Sequence, residues 1–229
     1  MIIIYSPTKT MQFKNILQSD VFPSSDHTPL LRELQGLSIK QIEKRYGVSK
    51  VIAQSVHEMF VSFDHAPQNI AIAAYTGLAY QALTPFAYST KELDYAEEHV
   101  RILDAFYGVV TPKTMIKPYR LDFSTKLKKN LYKFWNIKLD EPILNLASNE
   151  FSAMINQPMT TVLFLEEEKG KLTNKATYAK MARGKMLHHL IKNHITSIHD
   201  VRKFSEDGYS FNLKASENQT LVFSRKKTP

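Results

Sequence analysis

Lys9 and Glu150 are the two residues whose side chains could take part directly in covalent or proton-transfer chemistry. Lys9 lies in the segment Ser6-Pro7-Thr8-Lys9-Thr10, just after an apolar run at residues 2–5, and loops at strand ends often build sites. Its amine could bind a phosphate, or could act as a nucleophile that forms a Schiff base if burial and basic neighbours lower its pKa. The glycines of a phosphate-binding P-loop are absent here, and a solvated loop lysine is the alternative. Glu150 follows a second apolar run and is a proton-transfer candidate, although Ser148 or Asn149 could simply cap a helix there.

Two further segments combine aromatic and cationic side chains in the way that phosphate and nucleic-acid sites do. Tyr119 and Arg120 offer an aromatic face for a base and a planar guanidinium for a phosphate. Lys180 and Arg183 are three residues apart on a predicted helix, so they share one of its faces and could form a wall of a basic cleft. A solvated helix face is the alternative for this second pair.

Residues 46–53 resemble the helix-hairpin-helix pattern, in which two glycines flank a hydrophobic residue and an alanine follows after three residues. A serine replaces the second glycine. Such a hairpin presents backbone N–H groups at a helix start to a phosphate and does not read bases. The candidate phosphate-binding residues are Lys44, Arg45, Gly47, Ser49 and Lys50. An ordinary helical packing unit is the alternative.

The positive charge of the chain is concentrated in two segments. The net charge is +8 and the sequence pI is near 9.4. Residues 113–138 contain eight Lys or Arg and one acidic residue, and residues 169–203 contain nine and one, so the rest of the chain is net acidic. This segregation predicts one basic face, the electrostatic pattern of a protein that binds a phosphate backbone.

The residue types that support metal and thiol chemistry are poorly represented. The chain has no cysteine, which excludes disulfides, thiolate metal sites and a peroxidatic thiol. The candidate metal ligands are His188, His189, His194 and His199. No two of them have the three- or four-residue spacing that places ligands on one helix face, so neither a metal site nor a cofactor is predicted.

The candidate residues must be positioned by strands and helices that alternate irregularly along the chain. This order predicts a mixed α/β fold, with one mixed sheet surrounded by helices. The chain shows no repeat, linker or domain boundary, so we expect residues 1–229 to form one domain. No apolar run approaches the roughly 20 residues that span a bilayer, and the first strand leads directly into Ser6-Pro7, so a cytoplasmic protein is expected.

The local patterns also predict where the elements lie. Strands are predicted at residues 2–5, 70–74, 143–146, 160–165, 209–213 and 221–224. Helices are predicted at residues 37–46, 49–63, 90–106, 129–135 and 178–194, and another helix is predicted to begin near residue 148. The predicted caps are a capping box of Ser38 and Gln41 for the first helix, Ser49 for the second and Thr90 for the third. Residues 12–30 are predicted to be irregular.

Eight segments, in this order and across nearly the whole chain, resemble the YaaA peroxide-stress family. They are Ser6-Pro7-Thr8-Lys9-Thr10, Tyr75-Thr76-Gly77-Leu78, residues 103–109, Pro118-Tyr119-Arg120-Leu121, residues 131–135, 145–150 and 178–184, and Gly208-Tyr209. The family usually has alanine where this chain has Thr8 and aspartate where it has Gln12, so position 12 supplies no carboxylate near Lys9. The resemblance implies a cytosolic bacterial protein linked to survival of peroxide stress, a mixed α/β fold with a basic cleft, and DNA binding through a helix-hairpin-helix element.

Charge, motifs and resemblance together predict a DNA-binding protein of the peroxide stress response, which contacts phosphates and protects or helps process damaged DNA. The DNA would be duplex or branched and bound without sequence preference. No membrane partner is expected, and a monomer is the working assumption. The first alternative is a DNA glycosylase or lyase with Lys9 as nucleophile and Glu150 in proton transfer, so catalytic activity is left open. The second is a protein that limits intracellular iron.

Overall fold

The computed structural model describes residues 1–139 and 142–226. Its strands are β1 (Ile2–Tyr5), β2 (Thr10–Met11), β3 (Asn69–Ile70), β4 (Tyr75–Thr76), β5 (Val100–Asp104), β6 (Gly108–Val110), β7 (Met115–Ile116), β8 (Ile143–Asn145), β9 (Thr160–Glu168), β10 (Lys171–Thr173), β11 (Ser210–Phe211) and β12 (Thr220–Lys226). Its α-helices are α1 (Thr28–Gln35), α2 (Ile39–Tyr46), α3 (Lys50–Val61), α4 (Ala71–Ala74), α5 (Thr90–His99), α6 (Leu131–Phe134), α7 (Asn149–Ser152), α8 (Ala176–Lys192) and α9 (Ile198–Val201).

Eight of these strands form one mixed sheet. Seven lie in the order β11, β12, β9, β8, β1, β5 and β6, and β10 pairs with the end of β9. The inner strands from β12 to β5 are parallel, whereas β6, β10 and β11 are antiparallel to their neighbours. β1 is buried along its whole length, as expected of an inner parallel strand with both faces covered, and this burial explains its continuous apolar run. The buried apolar residues form one contiguous core, and the predicted mixed α/β fold is confirmed.

The prediction of a helix over residues 90–106 is wrong beyond His99. α5 ends at His99, and the next five residues form β5 in the middle of the sheet. The prediction relied on a cap at Thr90, on acidic residues in the first turns and on Gly108 as the signal for the helix end. Pairing with β1 overrides this local signal, because parallel neighbours stabilise the extended conformation of residues 100–104. The cap prediction is also one residue out, since Ser89 and not Thr90 caps α5.

Two other local predictions need correction. The strand predicted at residues 70–74 is limited to Asn69–Ile70, because the alanine-rich residues that follow form the short helix α4. The irregular segment predicted at residues 12–30 ends earlier than expected, since α1 begins at Thr28 with a proline in its first turn.

The two helices predicted on either side of Gly47 are present as α2 and α3. Ser38 accepts a hydrogen bond from the N–H of Gln41, whose side chain accepts one from Ser38, so the predicted capping box is confirmed. Gly47 ends α2 with a φ of 63°, a conformation that favours glycine. Ser49 occupies the N-cap position of α3, although its side chain makes no capping hydrogen bond.

α8 is the longest helix in residues 1–139 and 142–226, and it packs against β9 and α5. The helix predicted at residues 178–194 is therefore present with slightly earlier bounds. The side chains of Lys180, Arg183 and Lys185 interrupt its apolar character. Within the described residues, no helix combines the length and the apolar composition that crossing a membrane requires.

Candidate functional site

A cavity of about 330 Å³ lies where β1 and β8 end. Both strands are parallel neighbours in the sheet, so the loops after them emerge at the same edge, where ligands of α/β proteins usually bind. Residues 5–9 and 146–151 form this part of the wall, and residues 77–79 and 119–122 add two more segments. Lys180 and Arg183 complete it from α8.

The cavity brings together six residues that the sequence analysis singled out separately. They are Lys9, Tyr119, Arg120, Glu150, Lys180 and Arg183. The hairpin residues do not line it: Lys44, Arg45, Gly47, Ser49 and Lys50 belong to α2, α3 and the turn between them. The structure thus joins four distant segments at one place, while the roles of these residues stay predictions.

Lys9 meets an acidic partner that the sequence analysis did not identify. Its Nζ lies 2.8 Å from Oδ2 of Asp122, and its side chain is 60% exposed. A Schiff-base lysine was expected to be buried, and the exposed side chain of Lys9 does not meet this condition. Gln12 does not take part, because its amide donates to the carbonyl of Ala73. The carboxylate near Lys9 is therefore supplied from position 122, which is 113 residues away along the chain.

Arg120 and Arg183 contribute two partly buried guanidinium groups to the cavity wall. The Nε of each is buried and has no hydrogen-bond partner among the described residues. Burial lowers the pKa of Arg183, and nearby Tyr5 offsets part of this shift. A buried donor without an acceptor costs free energy, and the cost is larger for a charged group. These two groups are therefore suited to receive an anion.

Gly184 allows α8 to approach the cavity closely. A Cβ atom on Gly184 would lie 2.2 Å from the carbonyl oxygen of Ala79, in the loop that forms one wall. The hydroxyl of Tyr5 donates a 2.6 Å hydrogen bond to the same carbonyl. Tyr5 ends β1, so the glycine and this bond together fix α8 and the loop against the strand. Arg183 is placed at the wall by this close packing.

A buried carboxylate, Asp104, holds Tyr119 in place. Asp104 ends β5 and is fully buried. Its Oδ1 accepts from the N–H groups of Phe106 and Tyr107 at 2.7 and 2.8 Å, and its Oδ2 accepts from the hydroxyls of Tyr75 and Tyr119. Burial raises the pKa of Asp104, and these hydrogen bonds oppose the rise. No role was predicted for Asp104, although an aspartate at the end of an apolar run is a signal for such a site.

The environment of Tyr119 limits the stacking role proposed for it. Its side chain is 5% exposed, and its ring already stacks on Phe106 with centroids 5.2 Å apart. Tyr119 can therefore present only a small part of its surface to a ligand. Phe151, which is partly exposed in the same wall, is a second aromatic side chain available there.

Glu150 lies in α7, the short helix after β8, near a contact between two serines. Ser6 Oγ accepts a 2.9 Å hydrogen bond from the N–H of Ser148, which joins the loops after β1 and β8. Ser148 occupies the N-cap position of α7 but makes no capping hydrogen bond with its side chain. Glu150 is exposed, and its backbone carbonyl accepts from the hydroxyl of Tyr132. Its carboxylate is thus accessible at the cavity rim.

The helical hairpin contacts the cavity wall through its first helix. The hydroxyl of Tyr46 donates a 2.9 Å hydrogen bond to the carbonyl of Arg120. Arg45 binds Glu33 at 3.0 Å and the carbonyl of Lys126 at 3.2 Å, so its guanidinium is already engaged within the protein. The remaining predicted contacts, Lys44, Gly47, Ser49 and Lys50, are exposed.

Residues 1–139 and 142–226 contain no group of three or more His, Asp or Glu side chains placed to hold a metal ion. His188 is engaged elsewhere, since its Nδ1 lies 2.8 Å from the hydroxyl of Tyr88. The iron-limiting alternative therefore has no candidate ligand set in this part of the chain.

Comparison with known proteins gives consistent matches along the chain. Residues 1–215 match a family model described as peroxide stress protein YaaA. The chain is 33% identical to a UPF0246 protein of Finegoldia magna, with 96% of each chain covered. It is 34% identical to a UPF0246 protein of Agathobacter rectalis, with 98% of each covered. A UPF0246 protein of Lactiplantibacillus plantarum is also 34% identical, over 96% of this chain and 98% of that protein.

Proposed function

The chain belongs to the YaaA family of peroxide stress proteins, and we propose that it serves this response by binding DNA through phosphate contacts. In this role it would protect damaged DNA or help to process it, without selecting a base sequence. The observation that carries the proposal is the direct contact between the helical hairpin and the segment that lines the cavity. This contact makes two separately predicted phosphate sites parts of one surface.

The shared surface is built on residues 120–129. Tyr46 at the end of α2 binds the carbonyl of Arg120, and Arg45 binds the carbonyl of Lys126. Glu33 of α1 accepts from Arg45 and from the N–H of Lys128, which holds this segment against the hairpin. The exposed lysines of the segment are Lys126, Lys128 and Lys129. A DNA strand that follows these lysines would reach from the hairpin to the cavity.

The hairpin itself has the features of a phosphate contact. α3 begins at Lys50 and runs for 12 residues, so its N-terminal end carries the positive end of a helix dipole and free N–H groups. The tight turn at Gly47 exposes this end, and Lys44 and Lys50 add two exposed cations beside it. Such contacts bind the backbone of any sequence, which fits a protein that acts on damage and not at a defined site.

A salt series tests the proposal. We expect duplex binding to weaken steeply with salt, and the double variant Lys44→Ala/Lys50→Ala to reduce the slope of log K against log salt by about 1 to 2, at roughly 0.9 per lost phosphate contact. Lys214→Ala is the matched control, because Lys214 is an exposed lysine beside β12, in a different part of the fold. An unchanged slope in the hairpin variant would exclude the hairpin as a phosphate contact. Absence of duplex binding in the parent protein would overturn the proposed function.

A lyase activity is the second candidate, and one observation favours it: Lys9, Asp122 and Glu150 line the same cavity. Asp122 could accept a proton from Lys9, and Glu150 is an accessible acid or base. The exposure of Lys9 and its ion pair with Asp122 oppose this candidate, since the expected nucleophile is a buried lysine that is not held by a carboxylate. Borohydride trapping on abasic DNA decides between the two: a covalent adduct in the parent protein that is lost in Lys9→Arg would make the protein an enzyme.

A further inference from the structure

We propose that the cavity at the ends of β1 and β8 binds a single nucleoside monophosphate unit, with its phosphate on Arg120 and Arg183 and its base against the apolar wall. If the unit belongs to DNA, it would be an extruded or a terminal nucleotide, and the inference then rests on the proposed function. A free nucleotide has the same chemistry, and the experiment below separates the two sources.

The size of the cavity selects one unit and excludes a duplex. A volume of about 330 Å³ corresponds to a sphere roughly 9 Å across. The major groove of B-DNA alone is about 12 Å wide, so double-stranded DNA can lie over the opening but cannot enter it. The volume falls at the lower end of the roughly 300–1,000 Å³ found for small-molecule pockets. Enzymes and binding proteins that act on one base in DNA commonly turn it out of the stack into such a pocket.

The cationic residues of the cavity wall favour an anion. Arg120 and Arg183 line the cavity, and neither guanidinium has a hydrogen bond or ion pair with the described residues, so a phosphate in the cavity could pair with both. The exposed Lys180 lies in the same wall and adds a third cation. Asp122 neutralises Lys9 at 2.8 Å, so Lys9 contributes less attraction than its charge suggests. The arginine pair is therefore the expected phosphate position.

Part of the cavity lining is apolar. Leu78, Leu121, Leu146 and Phe151 line it, and Phe151 and Leu78 are at least partly exposed. A flat base could pack on these side chains, and stacking of a base on an aromatic ring contributes about 1–3 kcal/mol. Glu150 at the rim would repel a phosphate but could accept a hydrogen bond from an amino group of a base.

The wall also connects the cavity to the proposed DNA path. Arg120 and Asp122 belong to the cavity, and the exposed lysines that follow them lie beside the hairpin. A strand held by the hairpin would therefore pass the cavity opening. A nucleotide that is not paired could enter without the cost of breaking a base pair, which predicts a preference for bulges and strand ends.

The test compares a fully paired duplex with the same duplex carrying one bulged 2-aminopurine, using fluorescence anisotropy for affinity and 2-aminopurine emission for the environment of the base. We expect the bulged duplex to bind at least about tenfold more tightly, with a change in emission. Arg183→Gln and Arg120→Gln should remove this preference, so that the bulged and the paired duplex bind each variant with equal affinity. Lys180→Ala, which removes an exposed side chain, should reduce the preference several-fold even if an arginine variant fails to fold. Lys214→Ala should behave as the parent protein.

Calorimetry with free adenosine 5′-monophosphate supplies the other arm. If the paired duplex binds but neither the bulge nor the free nucleotide gives a signal sensitive to Arg183, the inference is overturned and the proposed function stands. If no DNA binds but the free nucleotide binds in an Arg183-dependent way, the cavity assignment holds and the proposed function fails. If neither DNA nor the free nucleotide binds, both fail.

Discussion

Gly184 offers the most direct test of how the fold builds the cavity, through the substitution Gly184→Ala. The new methyl carbon would lie 2.2 Å from the carbonyl oxygen of Ala79 and 3.0 Å from its carbonyl carbon. Ordinary contacts of a Cβ atom begin near 3.4 Å, so α8 and the loop at residues 77–79 must separate by about 1 Å or more. Because Arg183 precedes this glycine and the loop is a cavity wall, the same movement should widen the cavity.

The cost of Gly184→Ala can be estimated from three effects. Overpacking of one carbon against a rigid backbone costs about 1–3 kcal/mol. Displacement of Ala79 also weakens the hydrogen bond from Tyr5, which is buried, at about 1–3 kcal/mol. Alanine in a helix interior is more favourable than glycine by about 1 kcal/mol, which offsets part of this loss. The free energy of unfolding should therefore fall by roughly 1–5 kcal/mol; the middle of this range, about 3 kcal/mol, is equivalent to a Tm lower by about 6–12 °C for a chain of this length.

Urea denaturation followed by circular dichroism measures this loss, and Gly36→Ala is the matched control. Gly36 ends α1 with an ordinary φ of −78°, and a Cβ there would meet its neighbours at 3.5 and 3.6 Å. Gly36→Ala should leave the stability unchanged or raise it by about 0.5 kcal/mol. Gly184→Ala should also weaken any ligand binding that depends on Arg183. Equal stability of the two variants would refute the reasoning that backbone contact with Ala79 fixes α8.

Three further outcomes are expected. Asp104→Ala should lower the free energy of unfolding by roughly 4 kcal/mol in the same urea assay, because four buried donors lose their acceptor at about 1 kcal/mol or more each. Asp104→Asn keeps an acceptor, so the loss of stability should be smaller. The hydrogen bond from Lys192 to Glu92 is the main cause that lowers the pKa of Glu92 to about 2. The parent protein should therefore be more stable than Glu92→Gln above pH 4.5, and this difference should disappear as the pH falls towards 2. Thermal melts of both proteins between pH 2 and pH 4.5 measure this difference in stability. A difference that grows as the pH falls would contradict the prediction. Gly47→Ala should lower the free energy of unfolding by about 1 kcal/mol, since φ is 63° at this position. If Gly47→Ala were as stable as Gly36→Ala, alanine would not be strained in this turn.

Local signals in the sequence were sufficient for many of the elements. The apolar run Ile2-Ile3-Ile4 has no polar alternation, which is typical of a strand covered on both faces, and β1 is such a strand. The capping box of Ser38 and the glycine at position 47 defined both sides of the hairpin turn, because caps and positive φ are properties of a few consecutive residues. At residues 100–104 the prediction was wrong, because Gly108 was taken as the signal for the helix end although the helix ends at His99.

The sequence by itself therefore determined the chemistry that is available: arginines beside an aromatic residue, a lysine after the first strand, two basic segments and no thiol. Only the tertiary structure decided which of these residues meet. Lys9 pairs with Asp122, and Arg183 reaches the wall that contains Arg120, because β1 and β8 are parallel neighbours and Gly184 admits α8 to their ends. Arg45 was drawn into an internal ion pair with Glu33 by the same packing. Such contacts join residues far apart along the chain, and their free energy depends on burial and distance, which no local pattern of residues encodes.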